Sequence, residues 1–296
     1  MAAHIEIGDL RSQVVALRQP AAGRPQDGRR TALRAAYILS GLVAGFMVAA
    51  SAVGLLLDGL YRDGGWARAA FRGGDLATLV VAVPLLVVSL VLSMRGSRRA
   101  QPIWLAMLGY SVYNYAYYAF GAAFNDAFLL HIALLSMSIF ALACAASGLS
   151  VAAFAASFRA VRGTRWVGGL LMLIGIAQGG LWIFLLLRFA LTGQLLNDIP
   201  VEGQHLVFAL DLTLLVPSLV VGGMLLYRRT AMGLVIGTAV SVFGVVYQIN
   251  LMLAGVFAES AGVAGATAFP LEGVLLTGAL AVASAVLLLQ ARERDS

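Results

Sequence analysis

Six residues of one stretch, Tyr110, Tyr113, Asn114, Tyr117, Gly121 and Asn125, recur at spacings that put them on one face of a helix. Phenols and amides so arranged donate and accept hydrogen bonds, which suits holding a polar ligand or passing a proton. Tyr118 lies beside this face. A later stretch offers Tyr247, Gln248 and Asn250, with Asn250 turned from the face of Gly244, Gln248, Leu251 and Gly255. His131 and Glu272 stand near the starts of two further apolar runs. Asp75 and Asp211 open two similar segments, "DLATLVVAVPLLVVSLVLSMR" and "DLTLLVPSLVVGGMLLYRR". The titratable members, His131, Asp211 and Glu272, are candidates for proton coupling or acid–base chemistry. Arg188 is the available counter-ion for Asp211.

The solvent around these groups follows from composition. Of 296 residues 61% are hydrophobic and 11% charged, against about 25% charged in ordinary soluble domains. An all-α integral membrane protein is expected. At a rise of about 1.5 Å per residue, about 20 apolar residues cross the hydrocarbon. Eight stretches qualify, at about 35–57, 76–94, 102–124, 127–158, 166–192, 205–227, 231–258 and 269–291. The fourth is long enough to tilt or to project beyond the bilayer.

Every basic residue apart from the three histidines is arginine. Arg62, Arg68, Arg72 and Arg188 fall on one side of this layout and all the others on the opposite side. That asymmetry predicts a multi-pass protein of the plasma (cytoplasmic) membrane with both termini in the cytoplasm. Because the arginines sit in short runs between spans, the formal charge of +6 does not point to nucleic acid. Residues 1–33 read as a cytoplasmic, mobile tail. Trp104 and Trp166, at inner helix ends, read as interface anchors.

The two similar segments are part of a wider match. Displaced by about 134 residues, "LSGLVAG" (39–45) meets "LIGIAQG" (173–179), and "VYN" (112–114) meets "VYQ" (246–248). "LHIALLS" (130–136) meets "LEGVLLT" (271–277) at a larger offset. We read a parallel 4+4 tandem repeat, with 34–163 as the first four-helix unit and 164–296 as the second. Gly41 with Gly45, and Gly175 with Gly179, form small-xxx-small pairs expected to mark close helix crossings. Pro84 and Pro217 are expected to kink their helices.

Counting back from the arginines puts Asp211 about 25 Å, Glu272 about 30 Å and Tyr113 about 22 Å towards the outer leaflet. The expectation is an outward-facing polar pocket between the repeats, lined by Tyr113, Asn114, Tyr117, His131, Asp211, Tyr247, Gln248 and Glu272. Beside it stand blander readings: an interfacial belt for Tyr117 and Tyr118, and a solvated helix cap for Asp75. The lone Cys144 forms no disulfide, and no cluster has metal-ligand spacing. No motif implies a cofactor. The partners implied are the lipid bilayer and a small molecule, ion or lipid in the pocket, with a membrane protein partner also open. Transport of a small solute or ion, proton-coupled or not, is the favoured function. An intramembrane enzyme for a lipid or isoprenoid-like substrate, and a non-catalytic scaffold or accessory subunit, are the alternatives.

Overall fold

The computed structural model describes residues 24–157, 163–194 and 201–290, and within them all regular structure is helical. The helices are α1 (Arg24–Leu56), α2 (Gly65–Met94), α3 (Ala100–Gly121), α4 (Phe128–Gly148), the short α5 (Val151–Ala155) and α6 (Thr164–Thr192). There follow α7 (201–227), α8 (Ala231–Ser260) and α9 (Leu271–Gln290). Seven of them, all but α3 and α5, are long and apolar enough to cross a bilayer. The chain is a multi-pass membrane protein. At 22 residues α3 is equally long, but its tyrosines, Asn114 and Gln101 dilute its apolar character. Those polar groups are tolerated because α3 is packed on several sides, against α2, α4 and α8.

At the middle of the bundle α8 runs beside α2, α3, α7 and α9, while α1 packs chiefly on α4 and α6 chiefly on α7. Close approach needs small residues. Gly73 of α2 sits against the backbone of Ala254 in α8, and a Cβ at Gly168 of α6 would lie 2.6 Å from the Gly223 carbonyl oxygen of α7. Gly175 and Gly179 share that α6–α7 crossing, facing Val216 and Leu219. Gly41 and Gly45 do not make the expected crossing. Neither is packed against a neighbouring helix, and a Cβ at either position would meet nothing within 4 Å. The face of α1 that packs is formed instead by Ala36, Val43, Met47 and Ala50, all essentially buried.

Two helices change pitch at matching places. Residues Thr78–Ala82 in α2 and Asp211–Leu215 in α7 are π-helical turns, and each runs directly into Val-Pro, at Pro84 and Pro217. Proline donates no backbone hydrogen bond and crowds the carbonyl four residues earlier, so the preceding turn widens. Nothing in the residue pattern marked these turns beyond the prolines.

Three further expectations are corrected. The second span begins at Gly65, not near 76, because Trp66, Ala69, Ala70 and Phe71 continue its apolar face. The intervening Arg72 is held at the rim by the Asp58 carboxylate (3.2 Å) and the Leu55 carbonyl (3.1 Å). The fourth stretch is not one long tilted helix. It breaks after Gly148, where the Ser150 hydroxyl accepts from Ala153 N–H (3.3 Å) and starts α5. Trp104 is no interface anchor: it is fully buried, and its indole donates to the Ser40 hydroxyl (2.9 Å). Residues 24–33 form the first turns of α1, while 1–23 and 291–296 lie outside the described residues.

Candidate functional site

The π-turn of α7 opens with Asp211, whose side chain is wholly buried. Four donors from three helices surround its carboxyl group. The Tyr113 hydroxyl of α3 (2.6 Å) and the Tyr247 hydroxyl of α8 (3.3 Å) donate to Oδ1. Gln178 Nε2 and Trp182 Nε1 of α6, both at 2.8 Å, donate to Oδ2. Gln178 and Trp182 are four residues apart and so share a helix face. The Trp182 ring also stacks on Phe208, 4.3 Å between centroids.

Among the described residues no arginine donates to this carboxyl group, whose partners are all uncharged. Ion pairs such as Arg62–Asp126 (3.3 Å) and Arg72–Asp58 (3.2 Å) lie near the ends of helices. Arg188 is therefore not the counter-ion of Asp211. It lies six residues beyond Trp182, about 9 Å along α6 and roughly 120° around it. Phenol, amide and indole groups do the solvating that an arginine was expected to do.

Next to this group is a second polar layer. The Thr78 hydroxyl, at the start of the α2 π-turn, is 3.0 Å from the Tyr110 hydroxyl and accepts from Asn114 Nδ2 at 3.4 Å. Asn250 Nδ2 donates to the Tyr110 hydroxyl (3.1 Å) and to Asn114 Oδ1 (3.2 Å). The two π-turns thus each present a polar side chain to the tyrosine-bearing helices. Asn250, discounted from its helix face, is a full member.

His131 is not part of either layer. It is buried at 1% exposure against Tyr118 (5.0 Å) and Tyr115 (6.2 Å), on the far side of α3, and neither ring nitrogen has a hydrogen-bond partner. Tyr113 and Tyr118, five residues apart, point about 140° away from one another, so His131 cannot reach the face that Tyr113 shares with Asp211. Asp75 belongs to the His131 side. It is no solvated cap but a buried residue inside α2, accepting from the Tyr61 hydroxyl (2.6 Å) and the Tyr118 hydroxyl (3.0 Å). Burial, with Asp75 adding to it, holds the phenol of Tyr61, in the connection before α2, well above its ordinary value. Tyr118 is therefore core, and not part of an interfacial belt. Gln248 is buried beside Gly273 at the start of α9, away from the Asp211 donors.

Among the described residues, three cavities border these groups. At the end away from Arg95 and Arg228, a cavity of about 300 Å³ lies between Trp66, Gly255, the 263–267 connection and Glu272. A neck of about 70 Å³, bounded by Tyr113, Asn114, Tyr117, Tyr247 and Asn250, continues from it. Trp66, Ala70, Leu251 and Ala254 line both. Towards the arginine-rich end, a cavity of about 460 Å³ runs between α3, α4, α5, α7 and α8. Its walls are almost wholly apolar, with Gly109, Val112, Leu215, Val240 and Phe243 among them, and Tyr113 closes its top. Tyr113 is the residue common to the neck and this cavity.

No family model, curated protein or solved structure matches the chain. The geometry alone carries the functional argument. Of the residues expected in one pocket, Tyr113, Asn114, Tyr117 and Tyr247 meet at the neck, Asp211 stands behind Tyr113, and Glu272 lies at the wider end. Gln178, Trp182 and Thr78 were missed, and Asn250 was discounted. Gln178 and Trp182 carried a usable signal, a polar pair four residues apart in an otherwise apolar helix.

Proposed function

We propose that the chain is a transporter of a small solute, built as two four-helix units with α3 as an eighth span and both termini in the cytoplasm of a plasma-membrane protein. The two π-turns, each meeting Val-Pro 133 residues apart, support the repeat, because such turns are rare and recur here in register. The arginine asymmetry supports the orientation. In this reading the 300 Å³ cavity faces outwards and the 460 Å³ cavity lies on the cytoplasmic side.

The observation that carries the transport reading is Tyr113, one side chain walling two cavities that approach it from opposite ends of the bundle. Its hydroxyl is fixed by Asp211, a residue of the other unit. Rocking of one unit against the other would break or remake that bond, and alternating access of this kind needs such a barrier near the repeat interface.

Side-specific labelling tests it without knowledge of the solute. In a Cys144→Ala background, Ala254→Cys should react with an impermeant maleimide from outside, and Ala239→Cys from the cytoplasmic face. Adding Tyr113→Ala should let the external reagent reach Ala239→Cys. If Tyr113→Ala leaves both patterns unchanged, Tyr113 is no barrier and the reading fails.

A further inference from the structure

We propose that the solute taken by this route is a weakly hydrated organic cation, such as a quaternary ammonium bearing an apolar group, bound first between Trp66 and Glu272. This rests on the transport reading above and adds the substrate class to it. The charge of the lining is the first reason. The chain carries 20 arginines and a net charge of +6, yet no arginine lines any of these three cavities, and Glu272 is their one charged residue. Behind the neck wall stand Asp75, bonded to Tyr118, and Asp211, bonded to Tyr113. An anion would meet three carboxyl groups and no lining cation.

Aromatic faces give the second reason. Trp66 is shared by the wide cavity and the neck, Tyr117, Tyr113 and Tyr247 bound the neck, and Phe243 continues past Tyr113 into the larger cavity. Indole and phenol faces attract cations through their quadrupoles, and the attraction strengthens as water is excluded.

Hydration decides which cation. The 460 Å³ cavity offers almost no polar surface beyond Tyr113, Gln101 and two serines. A small ion or primary ammonium would lose strongly held water there with nothing to replace it. A quaternary ammonium donates no hydrogen bonds, and its apolar substituents gain from the Leu215, Val240 and Phe243 walls. The wide cavity, at about 300 Å³, is at the lower end of the range for small-molecule pockets of roughly 300–1,000 Å³.

Equilibrium dialysis of the full chain in nanodiscs, with empty nanodiscs subtracted, tests this with three probes of one shape. They are benzyltrimethylammonium, its uncharged carbon isostere neopentylbenzene, and the anion benzylsulfonate. Benzyltrimethylammonium should bind saturably, benzylsulfonate should not, and Glu272→Gln should weaken the cation by about tenfold without weakening neopentylbenzene. Glu272 is exposed, so the variant should fold, and an unchanged melting temperature checks that. Equal binding of the cation and its isostere, or of the cation by wild type and Glu272→Gln, overturns the cation assignment. The labelling pattern of Ala239→Cys would stand in that event, so the failure would belong to the substrate class and not to transport.

Discussion

The Tyr113 hydroxyl donates a 2.6 Å hydrogen bond to Asp211 Oδ1, tying α3 to the π-turn of α7 where the side chain of Asp211 has no exposed surface. Both of that oxygen's partners are hydroxyls, which can reverse and accept, whereas Oδ2 faces the Gln178 NH2 group and an indole that can only donate. Asp211→Asn should therefore fold, with its carbonyl oxygen kept towards Gln178 and Trp182. Asp211→Leu strands both donors at about 1–3 kcal/mol each. Thermal unfolding in detergent should rank wild type and Asp211→Asn close together and Asp211→Leu well below; equal melting temperatures for the two variants would contradict this donor geometry.

Gly54 should be intolerant where Gly45 is not. A Cβ at Gly54 would run into the Asp75 carboxylate and lie 2.5 Å from the Tyr61 hydroxyl, so Gly54→Ala must displace a buried hydrogen-bonded pair. A loss of about 1–3 kcal/mol is expected. Gly45→Ala meets nothing within 4 Å and removes a flexible helix-interior glycine, so it should be neutral or stabilising by up to about 1 kcal/mol. Melting temperatures moving the other way round would show that α1 does not pack as described.

These two glycines show how far the sequence could be read. Composition located the spans, because apolar runs of about 20 residues have no other stable solvent. Which face of a span packs depends on its neighbours, so one Gly-x-x-x-Gly spacing marks a crossing at Gly175 and Gly179 and an open face at Gly41 and Gly45. The start of α2 was hidden because Arg68 and Arg72 broke the apolar run, although their spacing kept them off the packed face. Tyr113, Asn114 and Tyr117 were legible since helical spacing alone puts them together. His131 was not, because its partner helix approaches the opposite face of α3.

Filling the apolar cavity should stop movement but spare capture. Gly109 lines that cavity, and a Cβ there has nothing within 4 Å. Gly109→Leu therefore adds volume without an initial clash and gains apolar contact. In proteoliposomes, uptake of benzyltrimethylammonium should fall to background while binding at the wide cavity stays within about twofold of wild type. Undiminished uptake would mean that the solute does not traverse the 460 Å³ space.

Trp182 and Arg188 offer a contrast about what stabilises the buried aspartate. Trp182→Phe keeps an aromatic ring to stack on Phe208, 4.3 Å away, but removes the 2.8 Å donor to Asp211 Oδ2. A hydrogen bond is worth about 0.5–1.5 kcal/mol net, and about 1.5–3 kcal/mol to a charged group, so Trp182→Phe should be destabilised by about 1–3 kcal/mol. Arg188→Gln touches no ion pair among the described residues and should stay within about 0.5 kcal/mol of wild type. The two should also differ in the labelling assay. On the transport reading proposed above, loosening Asp211 weakens the Tyr113 barrier, so Trp182→Phe should raise external reaction of Ala239→Cys while Arg188→Gln leaves it at the wild-type level. A larger effect from Arg188→Gln in either measurement would return the counter-ion role to Arg188 and displace the indole.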